Sequence, residues 1–293
     1  MPELPDVEIY VRALQARLIG HPLRTVRVMN PFLLRTVDPP LQTFDGLRVT
    51  EVMRLAKRIA LAFEGERFLV IHLMIAGRLH WSAAGPARAR AKALAAFHFE
   101  HGVLTLTEAG STRRASLHAV RGAASLAAHR PPGIEVLTAS LESFGAALAR
   151  ENHTLKRTLT DQRLISGIGN AYSDEILHRA RLSPVMLTRS LKPDETARLF
   201  EATRAAMTEW TDRLRAEAGD WPEKVTAFHP TMAVHGRFGQ PCPVCGSPVQ
   251  RIVHADNETN YCARCQTGGK LLADRALSRL LKASWPKHID DIE

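Results

Sequence analysis

Val7, Val11, Leu14 and Leu18 recur on one face of a 3.6-residue period and Gly20 follows them, so the chain is predicted to open with a helix. The period then changes. Gly46 to Leu55, Arg58 to Phe63 and Phe68 to Met74 are apolar or alternating runs parted by turn residues such as Glu64-Gly65, and they read as strands. Phe97-His98-Phe99 and Val103 to Leu106 flank His101-Gly102 as a hairpin. Strands in direct succession argue for an antiparallel sandwich or barrel and against a Rossmann-like sheet. Residues 83–96, Ala-rich with Arg88, Arg90 and Lys92, read as a solvated loop between strands. After Arg130-Pro131-Pro132-Gly133, the best domain boundary, the helical period returns. Helices are predicted at Leu141 to Arg150, Thr154 to Asp161, Asn170 to Arg179 and Asp194 to about Ala218, the last with Leu199, Met207, Trp210 and Leu214 on a core-facing stripe. From about Val234 the chain carries cysteines and lacks helix signals until Leu271. The expected class is α+β with several domains: 1–130, 131–233, 234–270 and a tail, 271–293.

The length of 293 residues is enough for about two domains with a real core. No run reaches the length of a membrane span, and the start lacks a basic region followed by an apolar stretch, so a cytoplasmic protein is expected. Lysine and arginine number 39 against 30 acids, a net +9 that fits a polyanionic partner without requiring one.

All four cysteines lie between 242 and 265, too clustered for a disulfide framework. Cys242-x2-Cys245, a 16-residue gap and Cys262-x2-Cys265 match the spacing of a zinc ribbon. Two thiolates from each knuckle close a tetrahedral Zn2+ site with no open position, so the metal is structural. A redox dithiol is the alternative, disfavoured by two matched pairs. Gly246 and Gly268-Gly269 supply the chain reversals, and His254 in the gap reads as a surface hairpin residue, not a ligand.

Ser166-Gly167-Ile168-Gly169-Asn170 places a Gly-x-Gly-Asn turn before a helix, with Asn170 as the expected N-cap. Unpaired N–H groups at that helix start, with Lys156 and Arg157 on the preceding helix, form a candidate phosphate site. By itself the turn is equally a tight connection, and it is not a Walker loop.

Together these pieces resemble the formamidopyrimidine-DNA glycosylase and endonuclease VIII family of DNA base-excision repair enzymes. The resemblance runs from Pro2-Glu3-Leu4-Pro5-Asp6-Val7-Glu8 through His72-Leu73 and the helix-two-turn-helix segment Gln162 to Pro184. It closes with His235 to Cys242 and the ribbon ending Cys265-Gln266. It implies an N-terminal β-sandwich with a leading helix, a helical DNA-binding domain and one structural Zn2+, acting as a monomer on double-stranded DNA near the nucleoid. It also implies removal of Met1, which frees the Pro2 amine to attack C1′ and form a Schiff base, with Glu3 moving protons. An α-amino group titrates near ~8, far below lysine, which suits that role. The resemblance further implies that Lys57, a phosphate contact near the lesion, serves the catalytic centre. It places His72, Met74, Ile75, Arg113, Lys156, Asn170 and Asn257 against DNA.

The chain departs from the formamidopyrimidine branch at the parts that read the lesion. Ile75 stands where the family has a wedge methionine; Met74 is the substitute, although strict strand alternation points it to the opposite face. Ala115 replaces the aromatic wedge beside Arg113, and Asn257 replaces an arginine that holds the lesion phosphate. The segment from Gly219 to Phe228 does not match the lesion-capping loop. Abasic-site lyase chemistry is therefore expected ahead of 8-oxoguanine excision. The rival expectation is a module that binds damaged or unusual DNA with little or no catalysis.

Overall fold

The computed structural model describes residues 1–83, 91–110, 112–226, 228–254, 257–274, 279–281, 284 and 286–292. The chain forms two compact units, Met1–Pro131 with Trp210–Thr226, and Pro132–Glu209 with Ala227–Glu293.

The first unit opens with α1 (Leu4–Leu18), whose buried stripe includes Val7, Val11, Leu14 and Leu18. Its strands are β1 (Leu23–Val28), β2 (Val49–Leu55), β3 (Arg58–Phe63), β4 (Arg67–His72), β5 (Gly77–Ala83), β6 (Ala93–Phe99), β7 (Gly102–Glu108) and β8 (Ser116–Arg121). They make two four-stranded antiparallel sheets, ordered β1-β6-β7-β5 and β2-β3-β4-β8. The predicted hairpin is the β6–β7 pair, closing at Phe99 and Gly102.

Strands β3 and β4 are buried along nearly their whole length, which explains why they read as continuous apolar runs. One face carries Ile59, Leu61, Leu69 and Ile71, all without exposure. The other carries Ala60, Ala62, Phe68 and Val70 with Leu55 and Val120, against which Leu126 of α2 (Ala123–Ala127) packs.

Two sequence readings need correction here. The run predicted to extend to Met74 ends at His72; Met74 to Ala76 form a turn, with Met74 at φ +53°, so strand alternation does not decide where Met74 points. Gly77 closes the turn by donating to Leu73 O at 2.9 Å, and a Cβ there would come within 2.2 Å of that oxygen. The supposed loop of 83–96 gives way to strand from Ala93 onward, because Leu94, Ala95 and Phe97 are buried. Its residues 84–90 lie outside the described part.

The second unit contains β9 (Ile134–Glu135), α3 (Leu141–Ala149), α4 (Leu155–Thr160), β10 (Ile165–Ser166) and α5 (Asn170–Ala180). It also holds most of α6 (Pro193–Glu217), whose last turns belong to the first unit. Ser140 and Thr154 cap α3 and α4 through their hydroxyls. The N-cap of α5 is Gly169 and not Asn170, which is the first helical residue and sends its side chain elsewhere. The ribbon is the antiparallel pair β11 (Gln250–His254) and β12 (Asn257–Tyr261), followed by α7 (Ala263–Thr267), a short helix that the sequence reading missed. Its signal is faint because Cys262 is its cap and it lasts little more than one turn.

Candidate active site and nucleic-acid interface

In the first unit, the head of α1 concentrates ionisable groups in a buried setting. Pro2 and Pro5 are buried, and Glu3 is 2% exposed as the N-cap residue of α1. Its backbone N–H donates to Asp6 Oδ2 at 2.9 Å. Lys57, on the tight turn between β2 and β3, is 6% exposed. Desolvation lowers its proton affinity, partly opposed by the Glu3 carboxylate. The terminal amine of Met1, the residue before Pro2, is likewise pushed below its ordinary value by burial, with Glu3 and Asp6 pulling upward and Arg78 and Lys57 pulling downward. An amine, two acids and two cations therefore act on one another at the start of one helix. Such an arrangement favours the unprotonated amine relative to its ordinary state and places an acid beside it for proton transfer.

Asp6 was not singled out from the sequence. Its only cue is a place three residues beyond Glu3, where a first-turn acid is ordinary. Burial raises its pKa to about 7 against the backbone hydrogen bond that lowers it, and Oδ1 is buried with no hydrogen-bond partner. Because the folded value lies above the unfolded one, the folded state holds the proton more tightly. Stability is then lost as pH rises from about 4 through 7 and stays lost above, by about 4 kcal/mol in all. Asp6→Asn is expected to recover most of that difference. In urea titrations the variant should gain on the wild type between pH 5 and pH 8, and parallel curves would refute the assignment.

His72 ends β4 half-buried, and burial, Arg58, Lys57 and His118 lower its pKa to about 4. Met74 is half-buried on the turn and Ile75, at its tip, is 54% exposed. Arg113 and Arg114 are exposed, whereas Ala115 is 3% exposed with its N–H bound to the Glu108 carboxylate. A side chain at 115 is thus directed into the protein. Of the gap-filling candidates, Ile75 and Arg113 present the most surface.

The second unit holds the other predicted contacts. Lys156 Nζ donates to Asp174 Oδ1 and to Asn170 O, each at 2.6 Å. Asp174, with no exposed side chain, also meets His235 Nδ1 at 2.8 Å. The neighbouring Glu175 accepts the backbone N–H groups of Ala233, Val234 and His235. This pair of acids on α5 thereby fixes both the Lys156 ammonium and the chain entering the ribbon. Sequence reasoning missed Asp174 and Glu175 because the partners that tie them to the ribbon, Ala233 to His235, lie some 60 residues away. Phe228 stacks on His235 with ring centroids 5.4 Å apart, and Gly236, at φ +71°, leaves room for that ring. Asn170 Nδ2 donates to Glu258 O at 2.9 Å, which ties the glycine turn to β12. Asn257, exposed at the start of β12, brings no positive charge.

The four cysteine sulfurs lie within 4.8 Å of one another. A tetrahedral ion with ~2.3 Å Zn–S bonds requires sulfurs ~3.8 Å apart. Cys242 and Cys265 stand at 3.9 Å, and Cys245 and Cys262 at 3.4 Å. The donor set fits Zn2+ and, with four protein ligands, the ion is structural. His178 of α5 places Nε2 3.3 Å from Cys242 Sγ, orienting that thiolate. Gln266 receives the Cys262 N–H and donates to Leu182 O, so the ribbon is bonded to the end of α5.

Three family models match in order: the formamidopyrimidine-DNA glycosylase N-terminal domain over residues 1–121, its H2TH domain over 133–213, and the zinc finger found in FPG and IleRS over 239–268. The chain is 33% identical to a Thermus thermophilus formamidopyrimidine-DNA glycosylase across 92% of its length and all of the relative. An uncharacterised formamidopyrimidine-DNA glycosylase-like protein of Mycobacterium tuberculosis is 41% identical, covering 52% of this chain and 96% of its own. Among solved structures, MutM (Fpg) from Thermus thermophilus superposes with a TM-score of 0.77 at 34% identity, over 90% of this chain and 98% of that one. The Lactococcus lactis Fpg bound to abasic-site DNA shares the fold, with a TM-score of 0.79 at 20% identity over 90% and 99%. The matches span both units and the ribbon at near-full length, and the chain belongs to the formamidopyrimidine-DNA glycosylase family.

Proposed function

We infer that this chain is a base-excision repair DNA glycosylase with abasic-site lyase activity. The observation that carries this reading is the burial of Pro2, Glu3 and Lys57 together at the head of α1, where the Glu3 carboxylate acts on the Lys57 ammonium. After Met1 is removed, the Pro2 nitrogen lone pair forms a bond to C1′ as the damaged base leaves. The sugar ring then opens to an iminium as O4′ takes a proton supplied by Glu3. Loss of a C2′ proton and then of a C4′ proton expels the 3′ and 5′ phosphates in turn, and hydrolysis of the iminium returns the amine. Lys57 holds a phosphate near the reacting sugar.

His72, Lys156, Asn170 and Asn257 contact the backbone, while Met74, Ile75 and Arg113 enter the gap left by the extruded nucleotide. The working division is 1–130 catalytic, 131–233 DNA-binding, 234–270 ribbon and 271–293 tail, in a monomer that works in the cytoplasm at the nucleoid. The exposed, uncharged Asn257 favours a second reading, binding of damaged DNA without catalysis. Borohydride reduction in the presence of an abasic-site duplex separates the two. A covalent protein–DNA adduct is expected. Salt-sensitive duplex binding without any adduct would support the binding module instead.

A further inference from the structure

We propose that Trp221 is a positioning residue for the turn from Met74 to Ala76. Together with Glu223 it fastens the edge strand β5 from outside its sheet, and so holds Ile75 ready to fill the gap left by an extruded nucleotide. This role rests on the reading of the chain as a base-excision enzyme.

The two strands joined by that turn are held very differently. β4 is paired on both sides, with β3 and β8, whereas β5 ends its sheet and pairs with β7 on one side. The turn between them is tight. Met74 takes a left-handed φ of +53°, and Gly77 closes on Leu73 O with no room for a Cβ. Arg78 adds a hydrogen bond from Nη1 to Gly77 O at 2.7 Å. A left-handed methionine is kept only where the chain on both sides of it is fixed. On the β5 side the ladder does only half of this, because an antiparallel edge strand leaves alternate residues without a backbone partner.

At Leu79, which is fully buried, side chains supply partners from outside the sheet. Its N–H donates to Tyr10 Oη of α1 at 3.4 Å, and its carbonyl accepts from Trp221 Nε1 at 3.1 Å. The Trp221 ring lies 6.0 Å from that of Tyr10 and 6.5 Å from that of Trp81 on β5, with the Arg17 guanidinium 5.4 Å away. His80 is held as well. Its Nδ1 meets the Glu223 carboxylate at 3.1 Å, while Nε2 meets Thr107 Oγ1 of β7 at 3.0 Å. Three successive residues of β5 are thus gripped by Trp221 and Glu223, and Pro222 and Val225 of the same segment are buried. All of these groups belong to the first unit. The local sequence suits the task, since a residue before proline is driven to extended backbone and Trp221-Pro222 therefore leaves α6 as a strap. It is the same segment that does not match the family's lesion-capping loop, which makes the strap this chain's own device.

The test compares single-turnover borohydride trapping on an abasic duplex with trapping on the same site inside a bubble of unpaired bases, where no stack has to be held open. Trp221→Phe removes the indole donor and keeps a ring, whereas Trp221→Ala removes both. The duplex rate is expected to fall about five-fold in the first and about thirty-fold in the second, with bubble rates within about three-fold of wild type. Ile75→Ala should show the same duplex-selective loss, and combining it with Trp221→Phe should add little, because both act through one turn. Thermal melts check the fold, and Trp221→Phe carries the test if Trp221→Ala melts early. Equal losses on duplex and bubble would assign Trp221 a general structural role. Unchanged duplex rates in either Trp221→Ala or Ile75→Ala, or losses that multiply in the double variant, would detach it from the turn. A wild type that traps the duplex alone would show that the paired stack serves more than a wedge. Each of these results overturns the positioning role and leaves the enzyme reading intact. A wild type that traps neither DNA overturns both.

Discussion

Retaining Met1 ahead of Pro2 is expected to abolish the borohydride-trapped adduct with abasic-site DNA, with a loss of at least ~10³-fold in trapping rate. One extra residue moves the amine by up to ~3.8 Å, and a misplacement of ~1 Å already costs on the order of 10²-fold in reactions that depend on positioning. It also replaces a secondary amine fixed by its ring with a primary amine on a flexible methionine. Pro2→Gly keeps a terminal amine after processing but gives up the fixed φ and the buried ring, so a smaller deficit, on the order of 10²-fold, is expected. Duplex affinity should change little in either case, because the residues proposed to contact phosphate lie elsewhere in the chain. The measurement is single-turnover trapping against time, with mass spectrometry of the amino terminus to show which form is present. Equal trapping by processed and unprocessed protein would rule out the terminal amine as nucleophile.

Removing zinc is expected to have the larger structural effect. Structural Zn2+ contributes roughly 10–16 kcal/mol to the folding of small cysteine sites, far more than a two-stranded ribbon can recover from its own core. Tyr261, Ile252, Leu271 and Ile289 supply a small apolar cluster, and Val249 and Val234 pack with the ligands themselves. Cys262→Ser or a strong chelator should therefore unfold β11 and β12. It should also loosen α5, which is bound to the ribbon through His178, Gln266 and the Asn170–Glu258 hydrogen bond. Hydrogen exchange is expected to rise across 239–268 and at the start of α5 while the sheets of the first unit stay protected. Duplex affinity is expected to fall at least a hundred-fold. Retention of both protection and affinity in a metal-free protein would contradict a structural role for the ion.

Local chemistry made a large part of this molecule legible. The helix stripe from Val7 to Leu18, the strand runs at Arg58 to Phe63 and Val103 to Leu106, and the paired cysteines each carry their signal within a short window. Hydrophobic period and ligand spacing are local properties. The misreadings arose where a local signal was silent or ambiguous. Ala93 to Ala96 look like loop because alanine does not mark a strand, yet pairing with β1 and β7 makes them one. Asn170 looks like an N-cap because of its type, but its amide is taken by Glu258 O, 88 residues away.

From the sequence alone came the family and the zinc ligands, which rest on residue types at fixed short spacings, and the expectation of a terminal nucleophile beside an acid, which the resemblance implies. Tertiary structure alone decided which groups act on one another. It buried Asp6 and Lys57 near the start of α1, joined Lys156 and His235 through Asp174, and directed position 115 inward. The physical reason is that proton affinity and ion pairing depend on burial and on distance through space, and neither follows from separation along the chain.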